Sequence, residues 1–172
     1  PFAFEHYGIA PDIITSAKGL GNGIPIGAII AREEVAAAFE VGDHGTTFGG
    51  GPLACACALA TLEVYEDLTV EGRHIGEHVT HVGDYARDKM AQLDCFDQVR
   101  GRGLMIGATL ADDAALTAIQ LRDELCDAGF IVNAVGMNII RLLPPLIVTT
   151  MHIDALIAAI YAIMENRRNE AS

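Results

Sequence analysis

Residues 42–51, Gly-Asp-His-Gly-Thr-Thr-Phe-Gly-Gly-Gly, put five glycines into ten positions, and neither a helix nor a strand tolerates that density. The backbone there must bend sharply or come close to something. Pro52 suits the first turn of a helix, and Leu53 to Asp67 continues it with Ala, Cys and Leu. Small residues all round predict that this helix is buried against close neighbours. Upstream, Ile13-Ile-Thr15 reads as a short buried strand ending at Lys18 and a second glycine-rich turn, Gly19-Leu-Gly-Asn-Gly23. The apolar run Ile26–Ala31 follows, and Arg32-Glu33-Glu34 opens a short helix through Phe39, its acids near the positive helix end.

Beyond residue 70 the glycine-rich, small-residue character gives way to longer amphipathic stretches. Ile75, Val79, Val82, Ala86, Met90 and Leu93 recur at three- and four-residue spacing and predict a helix over 72–93. Strands are expected at 97–100 and 104–110, split by Gly101-Arg102-Gly103, and again at 131–133 and 138–142. Helices are expected from about Ala114 to the cap at Gly129, and from Met151 to Asn169. Strand and helix alternate throughout, which predicts an α/β or α+β chain of two structural units, 1–68 and 69–172.

Net charge is -12, which argues against nucleic acid or an anionic membrane as partner. No apolar run approaches the ~18 residues of a membrane span, and Pro1 is followed by no basic-then-apolar leader. Counting glycine and leaving out tyrosine, roughly 59% of the chain is apolar, against a usual value of about 45–50%. Such an excess predicts a large buried interface, or a chain that is part of something larger. Cys55, Cys57, Cys95 and Cys126 form no C-x-x-C pair and read as reduced, buried thiols of a cytoplasmic protein.

Three segments carry chemistry. A lysine at a strand end before Gly-x-Gly-x-Gly is either an exposed residue before a turn or, at Lys18, an amine poised to form a Schiff base with a carbonyl compound such as pyridoxal phosphate. Adjacent Thr46 and Thr47 among glycines describe an anion-binding turn or a flexible surface loop. Arg141, within Ile139-Ile-Arg-Leu-Leu-Pro-Pro-Leu146, either needs a carboxylate partner or lies on a half-exposed strand. A P-loop is excluded because Lys18 precedes its glycines, and dinucleotide fingerprints fail at Ile24, Ile26 and Ile106. His74, His78 and His81 share one helix face at i, i+4 and i+7; the polar company of Glu77 and Asp84 predicts a solvated surface and no metal.

Together these segments resemble the class III (subgroup II) pyridoxal-phosphate-dependent aminotransferases, most of all their acetylornithine branch. The resemblance runs from Phe4-Glu-His-Tyr-Gly-Ile-Ala-Pro-Asp through Ala17-Lys-Gly-Leu-Gly, His44-Gly-Thr-Thr-Phe-Gly-Gly and Val99-Arg-Gly-Arg-Gly-Leu-Met-Ile-Gly to Arg141-Leu-Leu-Pro-Pro-Leu. It implies fold type I, with 1–68 the carboxy-terminal part of the large cofactor domain and 69–172 the small α+β domain. It implies that Lys18 carries pyridoxal 5'-phosphate and shuttles a proton, and that Thr47 reaches the cofactor phosphate of the neighbouring subunit in a homodimer. Thr46 is then near the substrate, and Arg141 pairs with a glutamate or the substrate carboxylate. The implied reaction exchanges an amino group between N-acetylornithine (or ornithine) and 2-oxoglutarate, in arginine biosynthesis. Succinylornithine, 4-aminobutyrate and a non-catalytic assembly role are the alternatives. The family's ring-nitrogen Asp, in an Asp-Glu-Val-Gln segment, is expected just before Pro1, so this chain alone is expected to be inactive. Gly51 stands where the family usually has Asn, which weakens the start of the following helix.

Overall fold

The computed structural model describes residues 2–170, which divide into two compact units between Leu68 and Thr69.

In the first unit, β1 (Ile13–Ala17) and β2 (Gly27–Ala31) form an antiparallel hairpin, with Ile13 opposite Ala31 and Ala17 opposite Gly27. Its base is tied by Arg32, which pairs with Asp12 at 3.2 Å and donates to the Ala10 carbonyl at 3.1 Å. The tip begins with a short 3-10 turn over Lys18–Gly21. Helix α1 (Glu33–Ala36) is a single turn, shorter than the expected run to Phe39. Helix α2 (Pro52–Asp67) starts at the proline, with Gly51 as an N-cap that offers no side-chain acceptor. Within these residues α2 is covered on one side only: Ala58 and Thr61 are buried, and Leu53, Leu59 and Val64 are exposed. The reason is architectural. Helix α2 packs on the Lys18–Gly21 turn, and two five-residue strands and one helical turn supply nothing to cover its other sides. The apolar excess is therefore on display in this unit, where Tyr7, Ile29, Phe39, Val41 and Phe48 are also exposed.

The second unit holds the core. After a miniature hairpin, β3 (Thr69–Val70) with β4 (Arg73–His74), helix α3 (Ile75–Met90) begins three residues later than its periodicity suggests, because the hairpin takes the first positions. Strands β5 (Phe96–Arg102), β6 (Met105–Leu110), β7 (Asn133–Val135) and β8 (Ile139–Leu142) make one antiparallel sheet in the order β5-β6-β8-β7. Helices α4 (Ala118–Asp127) and α5 (Thr150–Glu170) complete the unit. Helix α3 packs on β5 and β6, α4 on β7 and β8, and α5 on both helices.

Alternation decides which sheet face meets the helices. Ile106, Ala108, Leu110, Ile140 and Leu142 point inward and join Val82, Ala86, Met90, Leu121, Leu125, Ile153, Leu156, Ile160 and Met164. The helical stripes read from periodicity are the stripes that pack. Helix α4 begins at Ala118, later than the expected Ala114, because Thr117 and Gln120 form a capping box there. Polar ties cross the helix layer: Tyr85 donates to Asp154 at 2.6 Å, and Arg167 pairs with Glu124 at 2.7 Å.

Two expectations about individual side chains are corrected. His78 is wholly buried, its Nε2 2.8 Å from the Val148 carbonyl oxygen and its Nδ1 3.8 Å from Glu71. The hairpin turn and the segment before α5 cover a helix face whose hydrophobic spacing gave no sign of burial. His74 caps α3, its ring accepting from the Gly76 amide at 3.2 Å, and His81 is exposed, so the three histidines do not share one surface. Of the cysteines, only Cys95 is buried; Cys55 and Cys57 are half-buried and Cys126 is exposed near the end of α4. All four are free thiols.

Burial pushes the Cys95 thiol up to about 11. The folded state thus disfavours the thiolate, so stability is intact below the ordinary thiol range and falls as pH rises through it. The expected loss is roughly 1.4 kcal/mol per pH unit, confined to the interval between the ordinary thiol pKa and about 11. Urea titrations of the wild type and Cys95→Ala across that interval check this: the slope attributed to Cys95 should vanish in the variant.

Candidate active site

Lys18 follows the last residue of β1 and has a positive φ of 53°, in the left-handed region. A lysine in that conformation costs on the order of 1 kcal/mol, a strain that concentrates at functional turns. Ala17 before it is fully extended, and Asn22 and Gly23 after it also have positive φ, so the chain reverses tightly around the lysine. The Gly21 position is filled from the other side: a Cβ there would stand 2.8 Å from Ile26 Cγ2. The Lys18 side chain is exposed and makes no hydrogen bond or ion pair among the described residues. It lines an open hollow of about 240 Å³ with Thr15, Ser16 and Ala17. Thr15 and Ser16 were not singled out from sequence, where only the glycines and the lysine gave a signal. Tyr65 of α2 reaches the same turn, its hydroxyl 4.0 Å from where a Gly19 Cβ would stand.

Thr46 and Thr47 lie in the exposed loop before α2. The Thr46 hydroxyl accepts from the Gly49 amide at 3.1 Å, which folds the loop back on itself. The Thr47 hydroxyl has no hydrogen-bond partner among the described residues, and no hydrogen bond joins either threonine to Lys18.

Arg141 belongs to the second unit, on β8. Its neighbours Ile140 and Leu142 enter the core, so Arg141 stands on the opposite, helix-free face of the sheet, half-buried. Its Nε is buried and has no hydrogen-bond partner. A buried guanidinium nitrogen without an acceptor is costly, and a carboxylate is the partner that relieves it. No group of three His, Cys, Asp or Glu side chains among the described residues is arranged to hold a metal ion.

The sequence profile of the aminotransferase class-III family matches residues 1–164. The chain belongs to the class III aminotransferases. It is 47% identical to the acetylornithine aminotransferase of Methanocaldococcus jannaschii over 163 residues, covering 92% of this chain and 39% of that protein. It is 40% identical to the acetylornithine aminotransferase of Aquifex aeolicus, covering 95% of this chain and 40% of the relative. The chain thus spans about two-fifths of the length of these relatives. Among solved structures it is similar to acetylornithine aminotransferase from Elizabethkingia anophelis, with a TM-score of 0.81 and 30% identity over 95% of this chain and 41% of that one. It is also similar to Plasmodium falciparum ornithine delta-aminotransferase, with a TM-score of 0.82 and 26% identity over 96% of this chain and 43% of that one. The fold is accordingly that of the fold type I aminotransferases. Among the described residues no helix is long and apolar enough to cross a membrane.

Proposed function

We propose that the protein to which these residues belong is a pyridoxal-phosphate-dependent aminotransferase exchanging an amino group between N-acetylornithine (or ornithine) and 2-oxoglutarate, in arginine biosynthesis. The observation that carries this reading is the 47% identity to an acetylornithine aminotransferase over 92% of the chain. On this reading residues 1–68 are the carboxy-terminal part of the large domain and 69–172 the small domain. The enzyme is a cytoplasmic homodimer with its site at the subunit interface.

The residues present fit pyridoxal phosphate by their chemistry. They supply a primary amine, a hollow lined by Thr15 and Ser16 beside it, and the hydroxyl of Thr47; among the described residues neither the amine nor the Thr47 hydroxyl has a partner. When bound, the cofactor supplies the electron sink that makes an amino acid's α-proton labile. Lys18 Nζ would hold the cofactor covalently in the resting enzyme; once displaced by the incoming substrate amine, the freed lysine amine would take the proton from the substrate α-carbon and deliver it to the cofactor carbon to which it had been attached. Thr47 would donate to the phosphate of the neighbouring subunit's cofactor, and Thr46, whose oxygen already accepts from Gly49, would keep its proton for the substrate. Arg141 orients a substrate carboxylate through its fork of donors.

A donor panel on the whole protein, with 2-oxoglutarate as acceptor, tests the specificity. N-acetylornithine is expected to exceed 4-aminobutyrate in kcat/KM by at least about tenfold, the scale of one net hydrogen bond. Preference for 4-aminobutyrate would contradict the assignment. Residues 1–172 alone are expected to show no turnover, and substantial turnover by them would contradict the view that the site is completed from elsewhere.

A further inference from the structure

The wholly buried ring of His78 has an acceptor opposite each of its nitrogens. Its Nε2 is 2.8 Å from the Val148 carbonyl oxygen, and its Nδ1 is 3.8 Å from the Glu71 carboxylate. A neutral imidazole carries one N–H and one bare lone pair, so it can satisfy only one acceptor. The closer contact assigns that proton to Nε2, because a lone pair there would face the lone pairs of the carbonyl. Nδ1 is then left buried, without a hydrogen bond, and with its lone pair toward a carboxylate. A buried polar atom in that state is costly. Only a ring protonated on both nitrogens satisfies both neighbours.

The carboxylate is placed for that role. Glu71 sits in the turn between β3 and β4 with a positive φ of 50°, beside Gly72 at 76°, a conformation that a glutamate adopts at a cost. Among the described residues it has no other ion-pair partner, although Arg73 is two positions on. Its side chain is half-exposed and can close the remaining gap while the buried ring stays in place. Other titratable groups of the hairpin and of the start of α5 are engaged elsewhere. His74 caps α3 through the Gly76 amide, His152 is 2.8 Å from the Thr149 hydroxyl, and Asp154 accepts from Tyr85. Among the described residues no second carboxylate lies within ion-pair distance of His78.

We infer that His78 is a proton-operated latch, which when protonated on both nitrogens holds the β3–β4 turn through Glu71 and the segment before α5 through Val148. Loss of the Nδ1 proton to solvent releases Glu71 and leaves the bond to Val148. Folding gives that proton a partner which the unfolded chain lacks. The hairpin is therefore held more firmly at low pH and loosens as pH rises across about 5–8, where imidazoles change charge. The latch uses no residue of the proposed active site, so its failure would leave the functional reading intact.

Hydrogen–deuterium exchange of the whole protein, read by mass spectrometry, tests this on the peptide carrying β3 and β4. Its protection, corrected for the intrinsic pH dependence of amide exchange, should fall by about tenfold between about pH 5 and about pH 8. That is the lower end of what a hydrogen bond to a charged group contributes, as suits a half-exposed partner. Glu71→Gln keeps the side chain's length and should flatten the profile at its high-pH level. His78→Gln, whose amide can still donate to Val148, should do the same. If His78→Gln does not fold, the surface variant Glu71→Gln decides alone. A flat profile in the wild type, or a slope that survives Glu71→Gln, would overturn the latch.

Discussion

Lys18→Ala is expected to lower the aminotransfer turnover of the whole protein by roughly 10²–10⁴-fold, the usual range for losing a positioned proton-transfer group. Loss of the covalent anchor for the cofactor accompanies it. The fold should survive, because Lys18 is exposed and makes no hydrogen bond or ion pair among the described residues. Alanine at a positive φ of 53° keeps the strain that lysine already bears. The far-ultraviolet spectrum and melting temperature of the variant should therefore match the wild type while turnover collapses. Partial recovery with added methylamine would identify the missing function as the amine itself. Turnover within about tenfold of the wild type would mean that Lys18 does no proton transfer.

The largest effect on stability is expected from Gly83→Ala. In an ordinary helix this exchange gains up to about 1 kcal/mol. Here the sign reverses. Gly83 lies on the face of α3 that meets the β5–β6 turn, and a Cβ would overlap the Gly103 carbonyl oxygen and stand 2.5 Å from its carbon and 2.9 Å from its Cα. All three are backbone atoms, so no side-chain rotation makes room. Gly103 is itself pinned, with φ of 50° and Val79 Cγ1 only 2.8 Å from its own Cβ position. Overlap of this kind costs typically 1–3 kcal/mol beyond any propensity gain, and a net loss of roughly 2 kcal/mol should lower the melting temperature by about 10 °C in a unit of this size. Gly76→Ala on the same helix meets only the His74 ring, Nδ1 at 3.5 Å and Cε1 at 3.9 Å, and serves as the control, with no loss or a small gain expected. Thermal unfolding of the two variants beside the wild type decides the matter.

The same helix shows what was legible in the sequence. Ile75, Val82, Ala86 and Met90 repeat with the helical period, and α3 buries all four. The period marks where apolar side chains go; it does not mark which polar face a later segment will cover. His78 therefore read as solvated, although Val148, seventy residues on, supplies the carbonyl that makes its burial tolerable. Gly101-Arg102-Gly103 read as a break between strands, yet β5 runs through Arg102 and turns only at Gly103 and Leu104. Gly101, with φ of 146°, still pairs with Ile106.

For the site the division is sharper. Lys18, Thr46, Thr47 and Arg141 could be named as candidates from an ordered set of motifs, because family resemblance lies along the chain. The partner-free nitrogen of Arg141 could not be read there. It depends on how β8 pairs with its neighbours, a relation between segments that no local spacing carries. Helix α2 read as buried for a related reason: small residues signal close packing, but the packing partner need not lie in the same stretch of chain.

The account rests most heavily on Lys18 as the attachment point of the cofactor. Borohydride reduction of the whole protein with pyridoxal phosphate, followed by proteolysis and mass spectrometry, addresses that claim most directly. The predicted result is one stoichiometric phosphopyridoxyl label, on the peptide containing Lys18 and absent from Lys18→Ala. A label on Lys89, or one retained in full by Lys18→Ala, would contradict it.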